Sequence, residues 1–413
     1  MNILVVSQYF WPENFRVNEL VAGLVARGHA VVVLTGQPNY PGGTFPPGYG
    51  WSGPRREEVF GAEVIRVPLV ARGNGSALRL ALNYLSFALF SSIAARFRVR
   101  GAVDAIIVFE PSPITVGIPA VVAARKFRAP ILFWVLDLWP DSLAAAGSVR
   151  SPAVLRGVGH LVRWIYRQCA RVLVSSRAFV ADVVSHGTPP QRVCYFPNWI
   201  ESEYASDNAE HRVDVVLPNG FRVVFAGNIG AAQGFPEIIA AAERVAAQCA
   251  EVRWIIVGEG RMAEWAREEV VRRGLAERVV FLGQLPSAKM PALFAEADAL
   301  LVSLKSDLVF SLTIPGKVQS YLAAGRPILA MLDGEGARIV AEAGAGLVCA
   351  AGDIDGLAAH VLTLVGQTPA ERAAMGARGR DYARAEFARE PLFDRLESWC
   401  EESIAEMQHG ATK

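Results

Sequence analysis

Cysteine is scarce in this chain, five residues in 413, at 169, 194, 249, 349 and 400, with no CxxC pair and no metal-ligand spacing. A disulfide scaffold and a zinc-ribbon type of site are excluded, and reduced, structural thiols in a cytoplasmic setting are expected. An excess of charge of either sign is also missing, 41 Lys and Arg standing against 40 Asp and Glu. Nucleic acid is therefore not an expected partner. The most apolar long stretch, 77–95, is interrupted by Arg79 and Asn83 and falls short of an uninterrupted membrane span. The chain passes from Asn2 directly into the apolar run 3–6 with no basic segment before it, so no signal peptide is expected. GxGxxG is absent after that first run, where a dinucleotide-binding chain would carry it. Asp353 and Asp355 have a DxD-like spacing but lie too far along the chain to clamp a metal at a strand end. No cofactor and no required metal are expected.

What is present is a long chain, 52% hydrophobic with 37 glycines, which suits α/β layers in two domains of roughly 200 residues each. Apolar runs at 3–6, 30–34, 62–67, 105–109, 131–136 and 171–175 alternate with helix-like segments, predicting a mostly parallel sheet. A polar connector at 208–219 follows, and the pattern restarts at 221–225, 253–257, 279–282, 299–304, 328–331 and 346–348. A domain of residues 1–200 and a second of 201–385 are expected.

In sheets of this kind ligands collect at the carboxyl ends of the strands. After the first strand the loop SQYFWPENFRVNEL offers Glu13, Asn14 and Arg16 to a polar substrate, with Glu13 a candidate for the reaction itself. A helix-start loop with a capping Asn and a solvated Arg would use the same residues. The loop 36–50, rich in Pro, Gly and aromatics and including Tyr40, is expected on the acceptor side. LDLWPDSL places Asp137, Trp139 and Asp141 at another strand end; Asp137 is the candidate for the reaction, Asp141 suits a helix cap. Residues 77–100 carry Leu78, Leu82, Leu85, Leu89 and Ile93 at helical spacing, with Arg72, Arg79, Arg96, Arg98 and Arg100 around them. Such a helix lies either on an anionic membrane surface or against the core.

The second half has the richer loops. Gly227, Asn228 and Gln233 follow one strand; Gly258, Glu259 and Arg261 the next; Lys289 lies beyond the third. After 299–304 a polar loop through Lys305, Ser306 and Asp307 leads to a helix over 316–324, with Pro315 at its start and Gly325 at its end. Thr313, Pro315, Gly316 and the Lys317 ammonium would converge at that helix start, where an anion is favoured.

Taken together, RGHAVVVLTGQ, FPN, FAGNIGAAQGFPEII, IVGEGR, FLGQLPSAKMPALFAEADALLVSL and PGKVQSYLAAGRPIL resemble the family 4 glycosyltransferases of the GT-B fold, over almost the whole chain. SQYFWPENFRVNEL, LTGQPNYPGG, DLWPDS and GNIGAAQG are similar to the bacterial subgroup that includes N-acetyl-L-fucosamine transferases of O-antigen and capsule assembly. The resemblance implies two Rossmann-like domains around a cleft, and a last helix, 386–408, that crosses back to the first. It implies transfer of a hexosyl or N-acetylhexosaminyl group from a UDP-linked donor to a lipid-linked saccharide, at the cytoplasmic face of the plasma membrane. A nucleotide-sugar epimerase of the same architecture and a non-catalytic partner subunit are the alternatives. The run Lys317-Val318-Gln319-Ser320-Tyr321 lacks the family's ribose-binding glutamate, so Gln319 or Ser320 inherits that contact. Asn228 and Gln233 stand in the neighbourhoods of the family's two diphosphate-binding cations, and Asp137 stands for its usual histidine.

Overall fold

A computed structural model of the chain describes residues 1–145, 151–201, 204 and 217–410. The connector expected at 208–219 lies mostly outside the described residues. The chain divides into two compact units, one of Met1–Pro197 joined by the chain from Glu390, the other of Asn198–Arg389.

The first unit opens with β1 (Asn2–Val6), α1 (Arg16–Ala26), β2 (Ala30–Gly36), β3 (Arg56–Val59), β4 (Ala62–Val67) and α2 (Ala77–Phe97). It continues through β5 (Ala105–Glu110), α3 (Gly117–Phe127), β6 (Ile131–Val135), α4 (Asp141–Ala145) and α5 (Pro152–Arg167). β7 (Arg171–Val174), α6 (Phe179–Ser185) and β8 (Val193–Tyr195) close the run. The sheet order is β3-β4-β2-β1-β5-β6-β7-β8, parallel except where β3 pairs antiparallel with β4. β5, β6 and β7 are buried at every residue, as expected of parallel strands covered by helices on both faces.

The second unit runs β9 (Phe221–Ala226), α7 (Phe235–Ala246), β10 (Val252–Val257), α8 (Ala263–Arg272), β11 (Val279–Gly283) and α9 (Met290–Ala295). Then come β12 (Ala299–Ser303), α10 (Leu308–Leu312), α11 (Gly316–Ala324), β13 (Ile328–Met331) and α12 (Gly334–Glu342). β14 (Gly346–Cys349), α13 (Ile354–Gly366) and α14 (Pro369–Phe387) complete it. Its sheet, β11-β10-β9-β12-β13-β14, is parallel throughout. In each unit the strand order reverses beside the first strand, between β1 and β5 and between β9 and β12. Crevices for ligands form at such reversals.

The helix expected over 386–408 is two elements: α14 ends at Phe387, and α15 (Arg389–Gly410) begins after one extended residue, Ala388. α15 buries Leu392, Phe393, Leu396 and Cys400. Arg27 at the end of α1 reaches Glu390, Asp394 and Glu397 on it at 2.6, 2.7 and 2.9 Å.

On α2 the residues turned inward are Asn83, Phe87, Ala88, Ser91, Ala94 and Ala95. Leu78, Leu82, Leu85, Leu89, Ile93 and Phe97 face solvent, Leu78 being 71% and Phe97 69% exposed. The core-packed alternative therefore does not apply to the leucine stripe.

Candidate functional sites

In the second unit, β9 and β10 deliver their glycines side by side. The Gly227 N–H donates to the Val257 carbonyl and the Gly258 N–H to the Gly283 carbonyl, both at 2.8 Å. Gly227 and Gly258 have φ of 137° and 132°. A Cβ on Gly258 would lie 1.9 Å from the Gly227 carbonyl oxygen, and one on Gly227 would lie 2.5 Å from Lys317 Cε. Only glycine brings these strand ends and the lysine so close.

Pro315 stands at the cap of α11, whose first turn offers backbone N–H groups without helical acceptors. Lys317, in that turn, holds its Nζ 3.6 Å from the centroid of the Phe225 ring. Burial lowers its pKa to about 7, and among the described residues no carboxylate forms an ion pair with it. Part of the lining is aromatic: Tyr204 stacks on Phe294 at 5.9 Å, and Phe294 meets the Tyr321 ring edge-on at 5.1 Å. The Tyr321 hydroxyl accepts the Ala226 N–H at 3.0 Å, pinning the end of β9. Glycine loops, helix start and aromatic wall enclose a cavity of about 730 Å³, a size that suits a small-molecule ligand.

Of the residues expected to hold a donor, Asn228, Gly258, Glu259, Gly316, Lys317 and Ser320 line this cavity. Thr313, Gln233, Gln319, Arg261 and Lys289 are not among its lining residues. Thr313 donates to the Phe310 carbonyl at 3.2 Å. Gln233 turns back to accept the Gly230 N–H at 3.1 Å, capping its own turn. Gln319 is 2% exposed and donates to the Asn198 carbonyl at 2.7 Å. Position 319 is thus committed to the scaffold, which corrects the expectation that Gln319 might reach a ribose, and Ser320 is the member of that pair at the cavity. Sequence reading passed over Glu201, Tyr204 and Phe294 and named no donor contact at Gln284 or Tyr321, all of them at the cavity wall. Gln284 was within reach of the rule that singled out its neighbours, since it directly follows β11.

In the first unit, Glu13 accepts the N–H groups of Asn39 and Tyr40, each at 2.7 Å, and of Phe10 at 3.3 Å. Burial raises its pKa to about 7 against these hydrogen bonds. Its carboxyl is occupied in tying the β1–α1 loop to the loop after β2, which corrects the part in the reaction expected of it. Asn14 is exposed, and Arg16 pairs with Glu19 at 3.2 Å. Tyr40 belongs to an aromatic cluster, 5.2 Å from Phe15 and 5.8 Å from Tyr9, with the Arg72 guanidinium 5.3 Å from its ring centre. Trp139 meets Tyr84 edge-on at 6.2 Å. Asp137 is half-buried at the end of β6 and accepts the Ser142 hydroxyl. Burial raises its pKa, and the Ser142 hydroxyl opposes the rise. Asp141 begins α4.

Residues 14–199 match the family described as Glycosyl transferase 4-like domain, and residues 220–367 match Glycosyl transferases group 1. With the doubly wound sheets in place, these two matches decide the class. The chain is a glycosyltransferase of the GT-B fold. WcaI of Escherichia coli K12, whose name assigns it to glycosyl transfer in colanic acid biosynthesis, is 28% identical over 339 residues, 79% of this chain and 82% of its own. The Pseudomonas aeruginosa glycosyltransferase WbjE is 29% identical over 230 residues, 53% of this glycosyltransferase and 56% of its own length. The crystal structure of Anabaena Alr3699/HepE in complex with UDP superposes with a TM-score of 0.70 at 16% identity, over 97% of this chain and 100% of that one.

Proposed function

We propose that this glycosyltransferase moves a hexosyl or N-acetylhexosaminyl group from a UDP-linked sugar to a hydroxyl of a lipid-linked saccharide during surface polysaccharide assembly. The observation that carries the donor half is Lys317 at the start of α11, a cation at the cavity beside two glycine loops, with no carboxylate partner among the described residues. A diphosphate supplies the negative charge this arrangement lacks, and the α11 N-terminus adds donors that strengthen as the leaving group gains charge. UDP in the Anabaena structure supports the choice of nucleotide. An N-acetylated deoxy-amino sugar is the donor that the sequence motifs favour.

On the acceptor side, Asp137 is the reacting or sugar-positioning carboxylate, with Trp139, Tyr40, Asn14 and Arg16 around the acceptor. The colanic acid assignment of WcaI supports a surface polysaccharide. The outward leucine stripe of α2 supports peripheral contact with the cytoplasmic face of the membrane. No metal is required in this reading, because Lys317 and backbone N–H groups carry the leaving charge.

Incubating the protein with a panel of UDP-sugars, with and without a lipid-linked saccharide, and with and without EDTA, tests all of this. A glycosylated lipid formed only with acceptor, and unaffected by EDTA, is the expected result. Isomerised sugar nucleotide without acceptor, or binding without turnover, would replace transfer with epimerisation or a subunit role.

A further inference from the structure

Glu110 is the last residue of β5, and its side chain has no solvent exposure. Neither carboxyl oxygen has a hydrogen-bond partner among the described residues. Its main-chain carbonyl accepts the Leu136 N–H at 3.1 Å, so β5 runs beside the turn that presents Asp137. The titratable groups that influence this point are Asp137 after β6 and Tyr166 of α5, which in turn faces Asp182 of α6 and Cys169. No Lys, Arg or His forms an ion pair with Glu110 or Asp137 among the described residues. A carboxylate charge buried without a counter-charge is far less favourable than a carboxyl that keeps its proton.

The two acids at these neighbouring strand ends have unequal surroundings. Asp137 is half-buried and accepts the Ser142 hydroxyl; the Glu110 carboxyl has neither solvent exposure nor a hydrogen-bond donor among the described residues. One negative charge at the pair therefore resides on Asp137, and the proton on Glu110.

We propose that Glu110 keeps its proton beside an ionised Asp137 and acts as a positioning residue, holding Asp137 charged and in place for the acceptor. The inference rests on the assignment of Asp137 to the acceptor side. Burial and the adjacent Asp137 charge both drive the Glu110 pKa well above the ordinary carboxylate range, in agreement with this division. The Glu110 proton is not transferred. It prevents a second charge from forming where no ion-pair partner stands among the described residues, and ionising Glu110 at high pH would set a second negative charge beside Asp137 and displace it.

Glu110→Gln keeps the shape and the neutral state, and Glu110→Met is a second apolar substitute of similar length should the amide disturb folding. Infrared difference spectra at neutral pH, wild type minus variant, should show a protonated-carboxyl band that shifts in deuterium oxide and persists in Asp137→Asn. A carboxylate band in its place overturns the proposal. Transfer rates at saturating donor, where Lys317 titration no longer contributes, should fall on the alkaline side by about tenfold per pH unit in the wild type. Glu110→Gln should lack that alkaline limb while its acid limb, set by Asp137, stays in place. Superimposable profiles overturn the positioning role. Full turnover by Asp137→Asn with the Glu110 band intact overturns the assignment of Asp137 itself, and the two failures are thereby told apart.

Discussion

Lys317 carries a positive charge that burial alone disfavours, lowering its pKa to about 7, even though Nζ sits over the Phe225 ring, a contact that favours the cation. A bound diphosphate would restore the charged form, so binding above pH 7 takes up a proton. Affinity for a UDP-sugar, whose diphosphate does not itself titrate in this range, should be flat below pH 7. It should weaken above pH 7 by up to about tenfold per unit, measured by calorimetry in buffers of different ionisation heat. Lys317→Met should remove the pH dependence and cost about 2 kcal/mol of binding. Gly227 makes a second prediction of this kind. Gly227→Ala would set a Cβ 2.5 Å from Lys317 Cε at a φ of 137°, which should destabilise the protein by about 1–3 kcal/mol and displace the ammonium. Gly316→Ala meets nothing within 4 Å and should leave thermal stability almost unchanged; equal losses in the two variants would refute the steric account. Single residues were the least legible scale in the sequence. Loop position grouped Gln233, and family resemblance Gln319, with Lys317, but side-chain direction decides, and those amides point to the Gly230 N–H and the Asn198 carbonyl.

Elements were read more securely, because apolar runs and end signals report burial directly. α11 begins after Pro315 and ends at Gly325, as the capping residues indicated, and β4 and β13 have the expected limits. What escaped was polar or short. β3 is the charged edge segment REEV, and α10 is a single half-buried turn capped by Asp307, whose carboxylate accepts the Val309 N–H at 2.8 Å. α2 shows the opposite difficulty. Its leucine periodicity was plain, but periodicity does not say which face of a helix meets the core, and here small and polar side chains face inward. Arg98 also leaves the expected basic rim, since it donates to the Arg66 carbonyl at 2.9 Å. Arg96 and Arg100 are exposed and both act on Lys126, leaving a cationic end beside an apolar stripe, which suits an anionic lipid surface. Flotation with vesicles containing anionic phospholipid should recover the wild type. Arg96→Glu with Arg100→Glu should weaken binding by at least about 2 kcal/mol, and Leu85→Asp should weaken it further without loss of fold. Retained flotation in both would refute membrane docking, and a wild-type dimer that dissociates in Leu85→Asp would assign the stripe to a second copy of the chain.

The whole molecule is two compact units on one chain, the second holding two hydrophobic clusters of its own, and the two units should respond to different perturbations. The alternation of strands and helices announced both sheets; the pattern breaks near residue 200, and the compact units part at Pro197. That the chain from Glu390 belongs with the first unit followed only from family resemblance, because an amphipathic helix does not name the surface it covers. The structure supplies the reason in Leu392, Phe393, Leu396 and Cys400, buried on α15, and in Arg27 meeting three carboxylates of the same helix. Phe393→Ala should therefore destabilise the first unit by about 3–5 kcal/mol and lower one calorimetric transition. The donor cavity lies wholly within Asn198–Arg389. A UDP-sugar at about 100 times its Kd should stabilise that unit by ~2.7 kcal/mol and raise the other transition, and should do so equally in Phe393→Ala. If Phe393→Ala instead abolishes the response to the nucleotide, the two units do not unfold independently, and stability in the first is coupled to donor binding in the second.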